Sequence, residues 1–484
     1  MPLRDSKDRH VAKRTSAVAQ ADAVAKDYRS YSYWLETVDD DLTPRPALSG
    51  SIDVDVAILG AGYTGLWTAY YLLQRQPSLR VAILEKHIAG FGASGRNGGG
   101  LGNRYPVGLR RMAQLFGREA AIDVQRAVNT VVDEIAGVSE REGFEMDYVR
   151  GGYIRLARSP YQLEVLAREQ RTLEEFGFGD DTHLLDAQQV AERVSVAGAI
   201  GGHFNETSAK MHPAKLVRGL ARAVEAHGGT IYEQTDVTDY TTGAYPALHT
   251  AQGHARAKTI VLAGESYLSR FPSLRRRVMP VYSLITLTEP LSPSEWQAIG
   301  WEAREGLSSA TNMVKYLTRT ADGRVLFGGR GAPYHLGSSI HDAYDQHEPT
   351  HVMLQDNVRE WFPMLKDVKF THTWGGPMGW PRDYVPTVSY RPADGLAEAF
   401  GYTGTGVGPS NLSGRILADL ITGADSDITH LPFVNRIGPK WEPEPFRFIG
   451  VRFAQHGFER LDRKAEATGV APNGRSLVER ITKH

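Results

Sequence analysis

The sequence predicts an α/β chain in which a parallel-sheet unit is interleaved with a second, α+β unit built on a more exposed antiparallel sheet. Three observations carry this. A β-branched apolar run (Val54, Val56, Ile58, Leu59), a glycine turn, a helical repeat (Leu66, Ala69, Tyr70, Leu72, Leu73) and the run 81–84 make a β-α-β unit. A second α/β passage begins at His212-Pro213, which opens a helix to Val224 before strands at 230–232 and 260–263. Between and after these lie strands of different character at 151–157, 278–288 and 324–328, broken by proline and glycine.

In chain order, the first thirty residues mix charge with alanine and lack the apolar core of a signal peptide, so they read as a surface arm. Tyr31, Tyr33, Trp34 and Leu35 form an aromatic cluster that needs burial, and an acidic, proline-bearing lead-in follows at 39–46. Pro77 closes the first helix. Helical signals dominate 112–173 around the 151–157 strand and return at 187–194; a loose hairpin surrounds Gly243 and Pro246. A tail beyond Gly423 carries Trp441 and Phe446 and leads to a helix near 450–464. The expected division is an arm (1–50), a unit around the parallel sheet (51–110, 205–275, 370–425), a unit around the more exposed sheet (111–204, 276–369) and a C-terminal extension (426–484).

Composition narrows the chemistry. None of the 484 residues is cysteine, which excludes disulfides, thiolate metal sites, a cysteine nucleophile and a cofactor tethered through sulfur. A net charge of −1 supplies no field for nucleic acid, and no apolar run reaches the roughly 18–20 residues of a membrane span, so a cytoplasmic protein with small-molecule partners is expected. Glycine is the excess: 50 residues, about a tenth of the chain against an average near 7%.

Much of that glycine lies in motifs. Gly60-Ala61-Gly62-Tyr63-Thr64-Gly65 is a GxGxxG turn between buried strand and amphipathic helix. Glu85, followed by Lys86, ends the second strand about 20 residues on, the usual place for a ribose-binding carboxylate. Gly60 permits the tight turn, Gly62 lets backbone approach a pyrophosphate, and Gly65 lets helix and strand pack; the turn itself does not choose between NAD and FAD.

The loop after it does choose. Gly92-Ala93-Ser94-Gly95-Arg96-Asn97-Gly98-Gly99 resembles the flavin loop of the D-amino-acid oxidase (DAO) superfamily, in the form found in its gamma-glutamylputrescine oxidase branch. Val237, after Thr235-Asp236, is similar to the valine whose backbone holds adenine, and Ala263-Gly264 to a second dinucleotide contact. The stretch Tyr402, Gly404, Thr405, Gly406 and Val407 resembles the closing flavin motif, a glycine turn feeding a helix. The resemblance covers most of 50–425 and implies a Rossmann-like FAD domain of the glutathione-reductase type. It also implies FAD, non-covalently held, and oxidation of a primary or secondary amine to an imine, with oxygen or another acceptor taking the electrons. A D-amino-acid or N-methyl-amino-acid oxidase or dehydrogenase, and a flavoprotein without amine chemistry, are the alternatives.

For the reacting end, the resemblance offers pocket candidates and no general base. Tyr282 and Arg330 lie on strands similar to those roofing the flavin, and Trp380 and Arg382 lie at the end of the strand beneath it. In amino-acid-oxidising relatives an arginine on that strand clamps the substrate carboxylate; here the aligned position is Met378, with Arg382 or Arg330 as replacements from another direction. The oxygen-activating lysine of monomeric sarcosine oxidases aligns with Leu326, leaving Lys315 as a neighbouring substitute.

Overall fold

The structure, a computed structural model, describes residues 26–329 and 334–482. Its first sheet has eight strands, ordered Thr387–Arg391, Leu396–Phe400, His254–Leu262, Ile52–Leu59, Val81–Leu84, Thr230–Tyr232, with an antiparallel pair (Val237–Thr241, Ala247–Thr250) attached to His254–Leu262. The central strands are parallel and apolar because both faces are covered. Val56 and Ile58 enter the core beneath helices Tyr63–Arg75, Pro213–Ala226 and Val407–Thr422, while Ala57 and Leu59 enter a second core with Leu248, Leu262 and Phe400.

The second sheet also has eight strands: Phe370–Trp380, Met279–Thr288, Val325–Gly329, Lys315–Arg319, Gly306–Ser309, Tyr153–Ala157, Gly201–Asn205, Thr182–Asp186. All its pairings are antiparallel except Gly306–Ser309 with Tyr153–Ala157. One face, with Ile154, Tyr282, Leu284, Leu317 and Phe327, packs under helix Glu348–Trp361. The other, with Ser283, Ile285, Tyr316, Ser308, Tyr153, Arg155, His203 and Asn205, lines a cavity. Alternation along each strand separates an apolar core from a polar wall.

The structure differs from the expected division in two places. Strand Phe370–Trp380 is bonded along its length to Met279–Thr288, and so belongs to the second sheet. Helices Arg118–Asn129 and Val131–Arg141 bury Val124, Val128, Val131 and Ile135 in the core of the first unit. Their apolar stripes face the helices of the parallel sheet. The first 25 residues of the expected arm lie outside the described residues. The helix expected near 450–464 runs from Phe446 to Thr468, and a short helix, Leu477–Thr482, follows it. No helix among the described residues is long and apolar enough to cross a membrane.

Candidate active site

Strand Ile52–Leu59 delivers the chain to Gly60, whose φ of +100° and crowding of the Ala263 carbonyl exclude a side chain. Gly65 packs on the turn itself: a Cβ there would lie 2.0 Å from the Gly60 oxygen. Gly62 differs from both. Its backbone (φ −85°, ψ −176°) suits any residue, and a Cβ would meet only Ser94 Oγ, at 3.0 Å. Gly62 caps helix Tyr63–Arg75 with no side-chain hydrogen bond, and the first turn carries no acid. An open helix N-terminus of this kind is an anion site. Glu85 is fixed beside it, accepting from the Ala61 and His87 N–H groups, each at 2.9 Å; burial pushes its pKa up against the pull of those donors. Lys86 pairs at the rim with Asp236, and Val237 is buried, its carbonyl taken by Arg270. Gly264 packs on Leu59, next to Ala263.

The other two glycine segments join this turn. Ser94 Oγ accepts from Tyr63 N at 2.9 Å, and Tyr402 Oη lies 3.0 Å from Thr64 Oγ1. Gly406 caps helix Val407–Thr422, again with no side-chain bond and no acid in the first turn. Asn97 shapes the loop from within: its amide donates to the carbonyls of Ala93 and Ser94, and its oxygen accepts from Gly99 N. Arg96 is buried at the cavity wall over Gly376, pairing with Asp345 at 2.6 Å and donating to Tyr267 Oη.

Two holders of this frame were not visible in the sequence. Glu265, left-handed at φ +48°, accepts from the N–H groups of Gly379 (2.8 Å), Gly401 (2.6 Å) and Tyr402 (3.4 Å), tying the strand beneath the cavity to the closing turn. The aromatic cluster near the N-terminus finds its burial on the flavin loop. Ser32 Oγ donates to Gly95 O, and Trp34 Nε1 donates to Asn97 O at 2.7 Å while its ring covers Gly99. Trp34→Ala is therefore expected to cost about 3–5 kcal/mol and to loosen the loop 92–99, measured as Tm; Trp34→Phe should fall between it and wild type.

Where these parts meet there is a cavity of about 800 Å³, walled by Ala93, Asn97, Gly98, Gly404, Thr405 and Val407 on one side and by the polar face of the second sheet on the other.

A family model, FAD dependent oxidoreductase (DAO), matches residues 55–420. The chain belongs to the DAO family of FAD-dependent oxidoreductases. It is 29% identical over 427 residues to gamma-glutamylputrescine oxidoreductase of Escherichia coli (strain K12), covering 85% of this chain and 94% of that protein. To sarcosine oxidase subunit beta of Rhodobacter capsulatus it is 23% identical over 385 residues, covering 76% and 84%. The fold is that of glycine oxidase from Geobacillus kaustophilus (TM-score 0.67, 23% identity, 80% of this chain and 100% of that one). It is likewise that of L-proline dehydrogenase from P. horikoshii (TM-score 0.64, 21% identity, 80% and 96%).

FAD is the cofactor that the DAO family implies, and the residues fit it: two helix N-termini with glycine caps, a Gly62 cradle that a Cβ would enter, and a buried carboxylate beside the turn. The residues expected at the substrate end are placed differently. Tyr282 lies on the core face of its strand, its hydroxyl on the His341 backbone and its ring against His335 and Tyr344. Ser283 and Ile285, of opposite parity, take the cavity. Trp380 packs with Met279, Tyr334 and Trp441, and its carbonyl accepts from Trp441 Nε1. Arg382 pairs with Glu442 and lies over the Trp441 ring, occupied by the C-terminal extension. Arg330 lies outside the described residues. Lys315 Nζ turns to Asn357 on helix Glu348–Trp361, and Leu326 is buried with Trp34 and Trp374. Met378 does line the cavity, and Lys210 is the lysine that does so.

Proposed function

We propose that this DAO-family protein oxidises a primary or secondary amine bearing no carboxylate on the reacting carbon, with a polyamine conjugate of the gamma-glutamylputrescine kind as its substrate. The observation that carries this reading is Met378. At the end of the cavity formed by Gly404 and Thr405 stand Met378, Ser283, Ile285 and Tyr316, with the Arg96 guanidinium over Gly376 beside them, and the thioether at 378 pairs with no carboxylate. The arginine of the flavin loop, Arg96, is held by Asp345 instead.

Bound FAD, which this reading takes as non-covalently held, supplies the hydride acceptor. The amine carbon gives up a hydride, its nitrogen gives up a proton, and water hydrolyses the resulting imine to a carbonyl compound and an amine or ammonia. The protein's part is placement. Tyr316 packs on Gly98, with its hydroxyl 3.1 Å from Ser283 Oγ, so a rigid hydroxyl pair faces the loop. The N-terminus of helix Val407–Thr422 adds positive partial charge to the same wall.

Steady-state rates on alkylamines, acyl-diamines and their α-carboxylated analogues test the reading. The expected result is a kcat/KM at least tenfold higher for amines without the α-carboxylate; preference for D-amino acids or N-methyl-amino acids would overturn it.

A further inference from the structure

Beyond the flavin end, the cavity runs along the polar face of the second sheet to strands Tyr153–Ala157 and Gly201–Asn205. Its wall there is cationic. Lys210 pairs in register with Gly100, which places its side chain over the cavity, just past the flavin loop. Lys210 is only 4% exposed, and its ammonium lies 5.3 Å from the Tyr153 ring centre. Gly306 and Gly100 make room for it, since a Cβ at either would lie 2.5 Å and 3.6 Å from Nζ. Among the described residues the ammonium has no carboxylate and no hydrogen-bond acceptor; burial, with Arg304 adding repulsion, pushes its pKa down to about 7. A buried charge without a partner is costly unless a ligand supplies one.

Next along the same wall stand two guanidinium groups sharing one acid. Arg155 and Arg104 both bond Glu169, Arg104 at 3.0 Å. The register partner of Arg155, His203, is held neutral, its pKa pushed down to about 4 by burial and these two arginines, and bonds Gln170. Of the other acids on the cavity wall, Asp383 is paired with Arg436 and Asp181 lies exposed at the rim. Lys210 is thus the buried cation of this wall that no carboxylate pairs among the described residues. Strands Met279–Thr288 and Tyr153–Ala157 are four positions apart in the sheet, roughly 19 Å at about 4.8 Å per strand.

From this, and resting on the amine reading above, we infer that Lys210 with the Arg155–Arg104 pair forms a subsite for a carboxylate at the far end of the substrate, remote from the amine being oxidised. The acyl-diamine lies along the polar face from the Ser283–Tyr316 hydroxyl pair towards Gly306, one strand beyond Tyr316, where its terminal anion neutralises Lys210. Selectivity then comes from a charge-assisted contact at the tail, while the reacting end remains free of carboxylate recognition.

Two measurements on purified holoprotein test this. In the first, N-glutaryl-1,4-diaminobutane and N-pentanoyl-1,4-diaminobutane, matched in length and differing in the terminal carboxylate, are compared as substrates. Wild type is expected to favour the glutaryl amide at least tenfold in kcat/KM, and Lys210→Met and Arg155→Gln to bring that ratio below threefold. In the second, glutarate is titrated into oxidised holoprotein and followed by flavin difference absorbance and by calorimetry. The expected result is saturable binding, weakened at least tenfold in each variant at unchanged FAD content and circular dichroism. Equal use of both amides, or glutarate binding that is absent or indifferent to both substitutions, overturns the subsite and leaves amine oxidation standing. If neither amide reduces the flavin, the amine reading fails, and the glutarate titration still decides the subsite. Should one variant fail to fold, the other, which removes a different cation, carries both measurements.

Discussion

Gly62→Ala is expected to yield a folded protein that has lost FAD. The substitution separates cofactor from fold because the three glycines of the turn do different work. Gly60 is left-handed and pressed on Ala263, and Gly65 is pressed on the Gly60 carbonyl, so side chains there damage the fold itself. Gly62 has an ordinary backbone and open ground above it, with only the Ser94 hydroxyl in reach, which can rotate aside. A methyl group at this position stands where a pyrophosphate must meet the N–H groups of helix Tyr63–Arg75. Purified Gly62→Ala should keep wild-type far-ultraviolet circular dichroism and retain less than a tenth of the flavin, whereas Gly65→Ala should lose both. Full flavin occupancy in Gly62→Ala would contradict this placement of the dinucleotide.

Glu265→Ala carries the second large effect. Removing this carboxylate leaves the N–H groups of Gly379, Gly401 and Tyr402 without their acceptor in a buried setting. At roughly 1–3 kcal/mol for each group, a loss of about 3 kcal/mol or more follows, which lowers Tm by roughly 6–12 °C in a domain of this size. Flavin should be lost with it, because the freed segments are the cavity floor around Met378 and the closing turn at 401–405. Glu265→Gln keeps one acceptor oxygen and should fall between the two. A Tm within 2 °C of wild type together with full flavin content would show that the clamp does not hold these segments.

What could be read from the sequence was whatever is local. The turn at 60–65, its flanking strands and helix, and the acid that follows lie within one β-α-β unit, so spacing alone exposes them. The parallel sheet was equally plain, because strands covered on both faces read as unbroken apolar runs. Parity was not plain in strand Met279–Thr288. It is buried on both sides, so nothing in Pro280-Val281-Tyr282-Ser283 says that Tyr282 faces the core and Ser283 the cavity. Strand Phe370–Trp380 lies close in sequence to the closing flavin turn, yet its hydrogen bonds go to Met279–Thr288, a pairing that sequence separation conceals.

Glu265, Trp34 and Lys210 owe their roles to partners far along the chain: Gly401, Asn97 and Gly100. Each left a faint local trace. Glu265 is an acid just after a buried strand, Trp34 stands in an aromatic cluster lacking an obvious core, and Lys210 is a charge between Ala209 and Met211. Such traces say that a residue needs a partner and are silent on which one.

The central claim, that this protein passes electrons from amines to bound FAD, is tested most directly by adding amines to the purified holoprotein without oxygen. Flavin absorbance near 450 nm should bleach with acyl-diamines within the time of mixing to minutes, and to the same extent as with dithionite. Bleaching by dithionite but by no amine, with or without a carboxylate, would contradict the account.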